Sequence, residues 1–149
     1  MATAEECARE ILAVVPRIMQ GIRVEVRRGR AGGLSVPQFR TLIFLHHHEG
    51  ASLSQAAEHV GLSRPSMSKM IDGLVRSRHV DRRTAPGDRR RVRLGLTRRG
   101  RDLLSAAFRR AQQRIARGLE GVSPADRAAV LAGLRILEGA FAPPGGDRS

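Results

Sequence analysis

The chain has 149 residues, 41% of them hydrophobic, and a formal net charge of +13 from 27 basic residues, all but Lys69 being arginine, against 14 acids. That length suffices for one compact domain, or for a subunit whose core a partner completes, and the charge points to an anionic partner such as nucleic acid or a membrane surface. A single cysteine, Cys7, excludes an intrachain disulfide and a multi-cysteine zinc site, and four phenylalanines without Tyr or Trp leave little on which to stack single-stranded bases.

The start, MATAEECARE, is acidic and lacks a signal-peptide pattern, and the longest apolar runs, ILAVV and LIFL, are too short to span a bilayer. A soluble, cytoplasmic protein with no membrane partner is expected. From Ala4 to Arg28, Ile11, Leu12, Val15, Ile18, Met19, Ile22 and Val26 recur at helical spacing, and Pro16 is expected to kink this helix or break off its first turns. Cys7 lies there among Glu5, Glu6 and Arg9, without the basic surroundings that activate a thiol, and reads as inert. GRAGG, residues 29–33, ends the helix as a short linker.

Three later segments open on a serine followed three residues on by Gln or Asp, the capping box or its acidic variant. Ser35–Gln38 starts a helix to about His47, with Phe39, Leu42, Ile43 and His46 on its inner face, and Ser52–Gln55 starts a short helix ending at Gly61. Ser63 opens the next helix, with Pro65 tolerated in its first turn. Thr97 caps a long helix to about Glu120, Ser123–Asp126 opens a last helix to about Ala140, and residues 142–149 read as a flexible tail.

Between these helices, DRRTAPGDRRRVRLG (residues 81–95) holds six arginines. Val92, Leu94 and Leu96 alternate with Arg91, Arg93 and Gly95, the period of a half-buried strand, and Val80, Arg82 and Thr84 alternate more weakly. Ala85-Pro86-Gly87-Asp88 suits a type II turn. The stretch is therefore a hairpin anchored through Val92, Leu94 and Leu96, with Asp88, Arg89 and Arg90 at its tip.

Helix, short turn, helix and basic hairpin make a winged helix-turn-helix, with HVGLS as the turn and Gly61 supplying its unusual backbone. The second helix puts Met67, Met70, Ile71 and Leu74 toward a core and leaves Ser66, Lys69, Gly73 and Arg76 opposite, with Arg64 and Pro65 at its start. Short hydroxyls and basic groups at such a helix end suit phosphates and base edges in a major groove. Residues 63–101 carry a net +10 and the other 110 residues only +3, so the charge is focused where a duplex would lie. The candidate DNA-binding residues are Ser63, Arg64, Pro65, Ser66, Ser68, Lys69, Arg76, Asp88, Arg89 and Arg90.

The run GLSRPSMSKMIDGLVRSRHVDRRTAPGDRRRVRLGLTRRG resembles the recognition helix and wing of the MarR family of bacterial transcription regulators, with Asp88-Arg89-Arg90 at the family's Asp-x-Arg and Leu96-Thr97-Arg98-Arg99-Gly100 at its Leu-Thr-x-x-Gly. His79 stands where a glycine is common before the first wing strand. The resemblance implies a mainly α fold with a small β-hairpin wing. It places a winged helix-turn-helix at residues 35–96 and a helical dimerisation region at 4–30 and 97–141. It further implies a homodimer reading a near-palindromic double-stranded operator, with Arg90 inserted into the minor groove and Asp88 orienting it. Most members are repressors, and a small-molecule effector would bind between the dimer helices and the winged domain. Met19, Ile22, Phe39, Ile43, His46 and Phe108 have positions that suit such a pocket.

Other features lead nowhere. Consecutive histidines in HHHEG point about 100° apart on a helix and cannot share one ion, so no metal and no cofactor are expected. GLSRP has Pro65 where a nucleophile elbow needs glycine, and no phosphate-binding or dinucleotide fingerprint occurs; the chain is not expected to be an enzyme. A non-specific architectural DNA-binding protein and an RNA-binding module are the alternatives.

Overall fold

The computed structural model of the chain describes residues 1–30 and 33–141. Among these described residues, six helices and one two-stranded antiparallel hairpin follow in the order α1 (Ala4–Arg28), α2 (Val36–His47), α3 (Leu53–Val60), α4 (Arg64–Arg76), β1 (Val80–Ala85), β2 (Asp88–Leu96), α5 (Arg98–Gly118) and α6 (Pro124–Phe141). This is a mainly α fold with a β-hairpin wing. The expected linker falls partly, and the expected tail wholly, outside the described residues.

Local chemistry sets the boundaries. Ser35 and Ser52 accept from the backbone N–H of Gln38 and Gln55 at 3.3 and 3.2 Å, and the glutamine side chains accept from the serine N–H groups at 2.8 Å. Each box satisfies two backbone donors that a helix start would leave orphaned. Thr3 and Glu6 form the same box at α1. α3 ends on Gly61 in the left-handed region at φ 79°, which turns the chain toward α4.

α1 is not broken at Pro16 but runs unbroken for 25 residues. Proline removes the N–H that would meet the Leu12 carbonyl four residues back, and Arg17 Nε donates to the adjacent Ala13 carbonyl at 3.0 Å.

The described residues divide into two compact units, one up to Gln112 and one from Gln113. In the first, Phe39, Leu42, Leu45, Met67, Ile71, Leu74, Leu94 and Leu104 are among the largest fully buried side chains. Burial of each such side chain contributes about 1.5–3 kcal/mol before the entropy of ordering it. α2 packs against α3 and β2 and buries Phe39, Thr41, Leu42, Phe44 and Leu45. That face turns position 46 outward, so His46 is exposed rather than inward. The second unit holds the end of α5 and all of α6, which has no buried residue.

The hairpin register pairs Val80 with Leu96, Arg82 with Leu94 and Thr84 with Val92, and then jumps to Ala85 with Asp88. Ala51, in the α2–α3 loop, bridges to Leu94, with Leu94 N–H donating to the Ala51 carbonyl at 2.8 Å and Gly50 N–H to the Leu94 carbonyl at 3.1 Å. The hairpin is thus rooted at Leu94 and Leu96. Val92 is not an anchor: it is 44% exposed, because the ribbon has left the core by that point.

The turn into β1 is built on a residue other than glycine. The left-handed residue is Arg78 (φ 59°), one position before His79. His79 is buried, with Nδ1 2.7 Å from Ser77 Oγ. Burial, and then the charge of Arg99, hold its imidazole pKa below the ordinary value. Thr97 Oγ1 donates to the Arg78 carbonyl at 2.6 Å and accepts from Gly100 N–H at 3.1 Å. A Cβ at Gly100 would collide with the His79 carbonyl, which explains glycine at the end of Leu-Thr-x-x-Gly.

Candidate nucleic-acid interface

α4 presents its polar side because its apolar side is fixed. Met67, Ile71 and Leu74 are fully buried at helical spacing. Arg64, Pro65, Ser66, Lys69 and Arg76 are consequently exposed, and Ser68 is half-buried. Ser63 caps the helix, accepting from Ser66 N–H at 3.3 Å and donating to Ser66 Oγ at 2.9 Å. Pro65 sits in the first turn, where a missing N–H costs no helical bond.

The wing is tied to α4 by an ion pair, Arg82 Nη2 to Asp72 Oδ1 at 2.5 Å. Both partners are partly exposed, so the pair orients the hairpin more than it stabilises the fold. Arg83 faces Asp81 at 3.2 Å and Glu49 at 3.8 Å. At the tip, Pro86 and Gly87 make the turn, with Gly87 at φ 82° as a type II turn requires. The register jump leaves Arg89, Arg90 and Arg91 as a bulge opposite no residue of β1. All three are exposed. Asp88 Oδ1 accepts from the backbone N–H of Arg90 at 2.9 Å, and its Oδ2 lies 3.9 Å from Arg91 Nε. Asp88 therefore touches the main chain of Arg90, and its nearest guanidinium is that of Arg91.

Arg64 at the start of α4 and Arg90 in the bulge line one open cleft of about 740 Å³. Arg91 and Arg93 share its wall with Ser52 and Ser54 at the start of α3. A second cleft, about 600 Å³, meets the first at Gly50 and Gln55 and has the opposite character. Glu49 and Glu58 line it beside Phe44, whose ring stacks on His48 at 4.5 Å and on His59 at 4.6 Å.

The structure brings Arg64, Arg90 and the start of α4 together. It does not gather the six expected pocket residues into either cleft. Phe39 is buried in the core, Ile43 is half-buried, His46 is exposed, and Met19, Ile22 and Phe108 are 41, 37 and 38% exposed. Sequence reasoning did not place Arg93, Ser52 and Ser54 in the cleft that Arg64 and Arg90 line. Their signal was the serine capping box at Ser52 and the alternation of Arg91 with Arg93, both read only as marks of secondary structure. Among the described residues, no group of three or more His, Cys, Asp or Glu is placed to hold a metal ion, and no helix is long and apolar enough to cross a membrane.

Residues 32–91, from the linker through the wing tip, match the model of the MarR family. The chain is 32% identical over 108 residues to the uncharacterized HTH-type transcriptional regulator YfiV of Bacillus subtilis (strain 168), covering 72% of this chain and 68% of that protein. The transcriptional regulator Tm0710 from Thermotoga maritima shares the fold at a TM-score of 0.80 and 19% identity, over 89% of this chain and 94% of its own. A mutant of S. aureus MepR bound to oligodeoxyribonucleotide shares it at a TM-score of 0.59 and 20% identity, over 95% and 99%. With its winged helix-turn-helix and arginine-tipped hairpin, the chain belongs to the MarR family and is a DNA-binding transcription regulator.

Proposed function

We propose that the protein is a cytoplasmic, homodimeric repressor that reads a near-palindromic duplex operator and is released by a small-molecule effector. The observation that carries the DNA part is the convergence of Arg64 and Arg90 on one cleft, which lets a single duplex meet the recognition helix and the wing together. Ser66, Ser68 and Lys69 read base edges in the major groove, Ser63, Arg64, Pro65 and Arg76 position the backbone, and Arg90 enters the minor groove beside Arg89. The oligodeoxyribonucleotide bound to MepR, a protein of the same fold, supports this.

Two copies are invoked because apolar side chains stand uncovered on the terminal helices: Leu12 is 77%, Leu134 58% and Phe141 71% exposed. A second copy would cover them, and its two-fold axis would set two recognition helices on successive major-groove faces. The effector part rests on Met19, Ile22, Ile43 and Phe108, which are apolar and not fully buried.

DNA selected from a random pool, then bound at fixed salt, tests the reading. A shared near-palindromic motif held at least about a thousandfold tighter than random duplex is expected. Equal affinity for all duplexes would make the protein architectural, and preference for RNA would make it an RNA-binding module.

A further inference from the structure

We propose that the cleft between the start of α3 and the wing is a seat for one phosphate of the bound duplex, gripped by Arg64 from α4 and Arg93 from β2. The inference rests on the duplex-binding reading above and adds Arg93, with the Ser52 and Ser54 hydroxyls, to the residues that read DNA.

The arginines of the wing fall into two groups. Arg82 and Arg83, near the root, are matched by Asp72, Asp81 and Glu49. Among the described residues, no carboxylate pairs with Arg64, Arg90 or Arg93, and the one acid near Arg91 is Asp88 at 3.9 Å. All four of these guanidinium groups line the same cleft, and no acidic side chain lines it with them. Like charges gathered without counter-charge repel one another, and an anion placed among them removes that cost. Guanidinium forks suit phosphate oxygens, and serine hydroxyls add neutral donors.

Arg93 is held ready for this. Its stem lies over Gly50, with Cδ 3.6 Å from where a Cβ on that glycine would stand, and Gly50 is fixed to β2 through the Leu94 carbonyl. The neighbouring cleft bounds the seat on one side. It shares Gly50 and Gln55, carries Glu58 and also Glu49, which faces Arg83 at 3.8 Å, and has no Lys or Arg in its wall. A phosphate backbone is drawn to the arginine side of Gly50 and disfavoured on the Glu58 side, which biases its path between helix-turn-helix and wing.

The test is a cycle of Arg64→Gln, Arg93→Gln and the double variant. Binding is followed by fluorescence anisotropy on a mixed-sequence duplex and on a duplex selected from the random pool, across a range of salt. Each single variant is expected to lose about tenfold in affinity on both duplexes and to flatten the slope of log K against log salt by up to about 0.9. If both side chains grip one phosphate, the double variant loses less than the product of the two single losses. Multiplying losses, or an unchanged affinity and slope in either single variant, would overturn the shared seat. Inorganic pyrophosphate at constant ionic strength is expected to displace more duplex than chloride does in wild type, and no more than chloride in Arg93→Gln, because it carries the same phosphate oxygens. Pyrophosphate that binds wild type and is lost in Arg93→Gln, while neither Gln variant alters duplex affinity, would assign the cleft to a free phosphate ligand and overturn the duplex assignment. If Arg90→Ala weakens binding while both Gln variants bind normally, the seat fails and the duplex reading stands. A wild-type chain that binds no duplex removes both.

Discussion

Asp88 holds Arg90 by its main chain: the carboxylate accepts from the Arg90 N–H at 2.9 Å and leaves the guanidinium free. In the proposed complex an acid beside DNA phosphates is unfavourable in charge, and the shape it gives the bulge would offset that cost. Asp88→Ala is therefore expected to weaken duplex binding at matched salt. Asp88→Asn keeps an acceptor for the Arg90 N–H and loses the charge, and should bind as tightly as wild type or tighter. Anisotropy titrations of both variants check this. Tighter binding by Asp88→Ala would show that the bulge needs no such tie.

Lys69 is the one lysine in the chain and stands on the exposed face of α4. Lys69→Ala should cost about 1–3 kcal/mol on the selected operator and far less on random duplex, if the ammonium meets a base edge. Equal losses on both duplexes would place it on a phosphate, and no loss on either would remove it from the interface.

The buried His79 makes stability depend on pH. Its folded pKa is depressed, first by burial and then by Arg99, so the unfolded chain takes up the proton more readily. The stabilisation is complete above the ordinary value of about 6.5. It is lost as pH falls through that value toward the lower folded one, and then levels off. Urea midpoints between about pH 8 and pH 5 should fall more steeply for wild type than for His79→Gln. Parallel curves would mean that the burial of this imidazole does not penalise its protonation.

On α6, Leu134 is 58% exposed in the single chain. In the proposed homodimer it is covered, and Leu134→Asp would bury an unpaired charge. Sedimentation at micromolar concentration should find wild type dimeric and the variant monomeric or unfolded. A monomeric wild type defeats the assembly.

Much of this was legible in the residues. Ser35, Ser52 and Ser63 marked helix starts within a residue, because N-capping is local chemistry, and Gly61 and Gly87 marked two of the turns built on left-handed backbone. What escaped depends on how far elements reach into space. Val92 fits the alternation of Leu94 and Leu96, but periodicity does not say where a ribbon leaves its core. His46 fits a helical face, but α2 is buried between α3 and β2 on a face rotated away from it. Arg93 was read as the outward half of a strand, and only the placement of Gly50 and Arg64 makes it part of a cleft.

The Ala51–Leu94 bridge also sets how the hairpin bends. Below it, the ribbon is clamped by a third backbone segment, by Asp72 through Arg82 and by Thr97 through Arg78. Above it, from Val92 to Thr84 around the turn, most side chains lie open to solvent. Local opening is cheapest where buried contacts are fewest, so compliance is concentrated in the outer half while the inner half keeps its bearing on the recognition helix. In the proposed complex, this arrangement would join a stiff ruler for the distance between major and minor groove to a soft fingertip, able to conform to differing groove widths without disturbing the helix proposed to read the sequence.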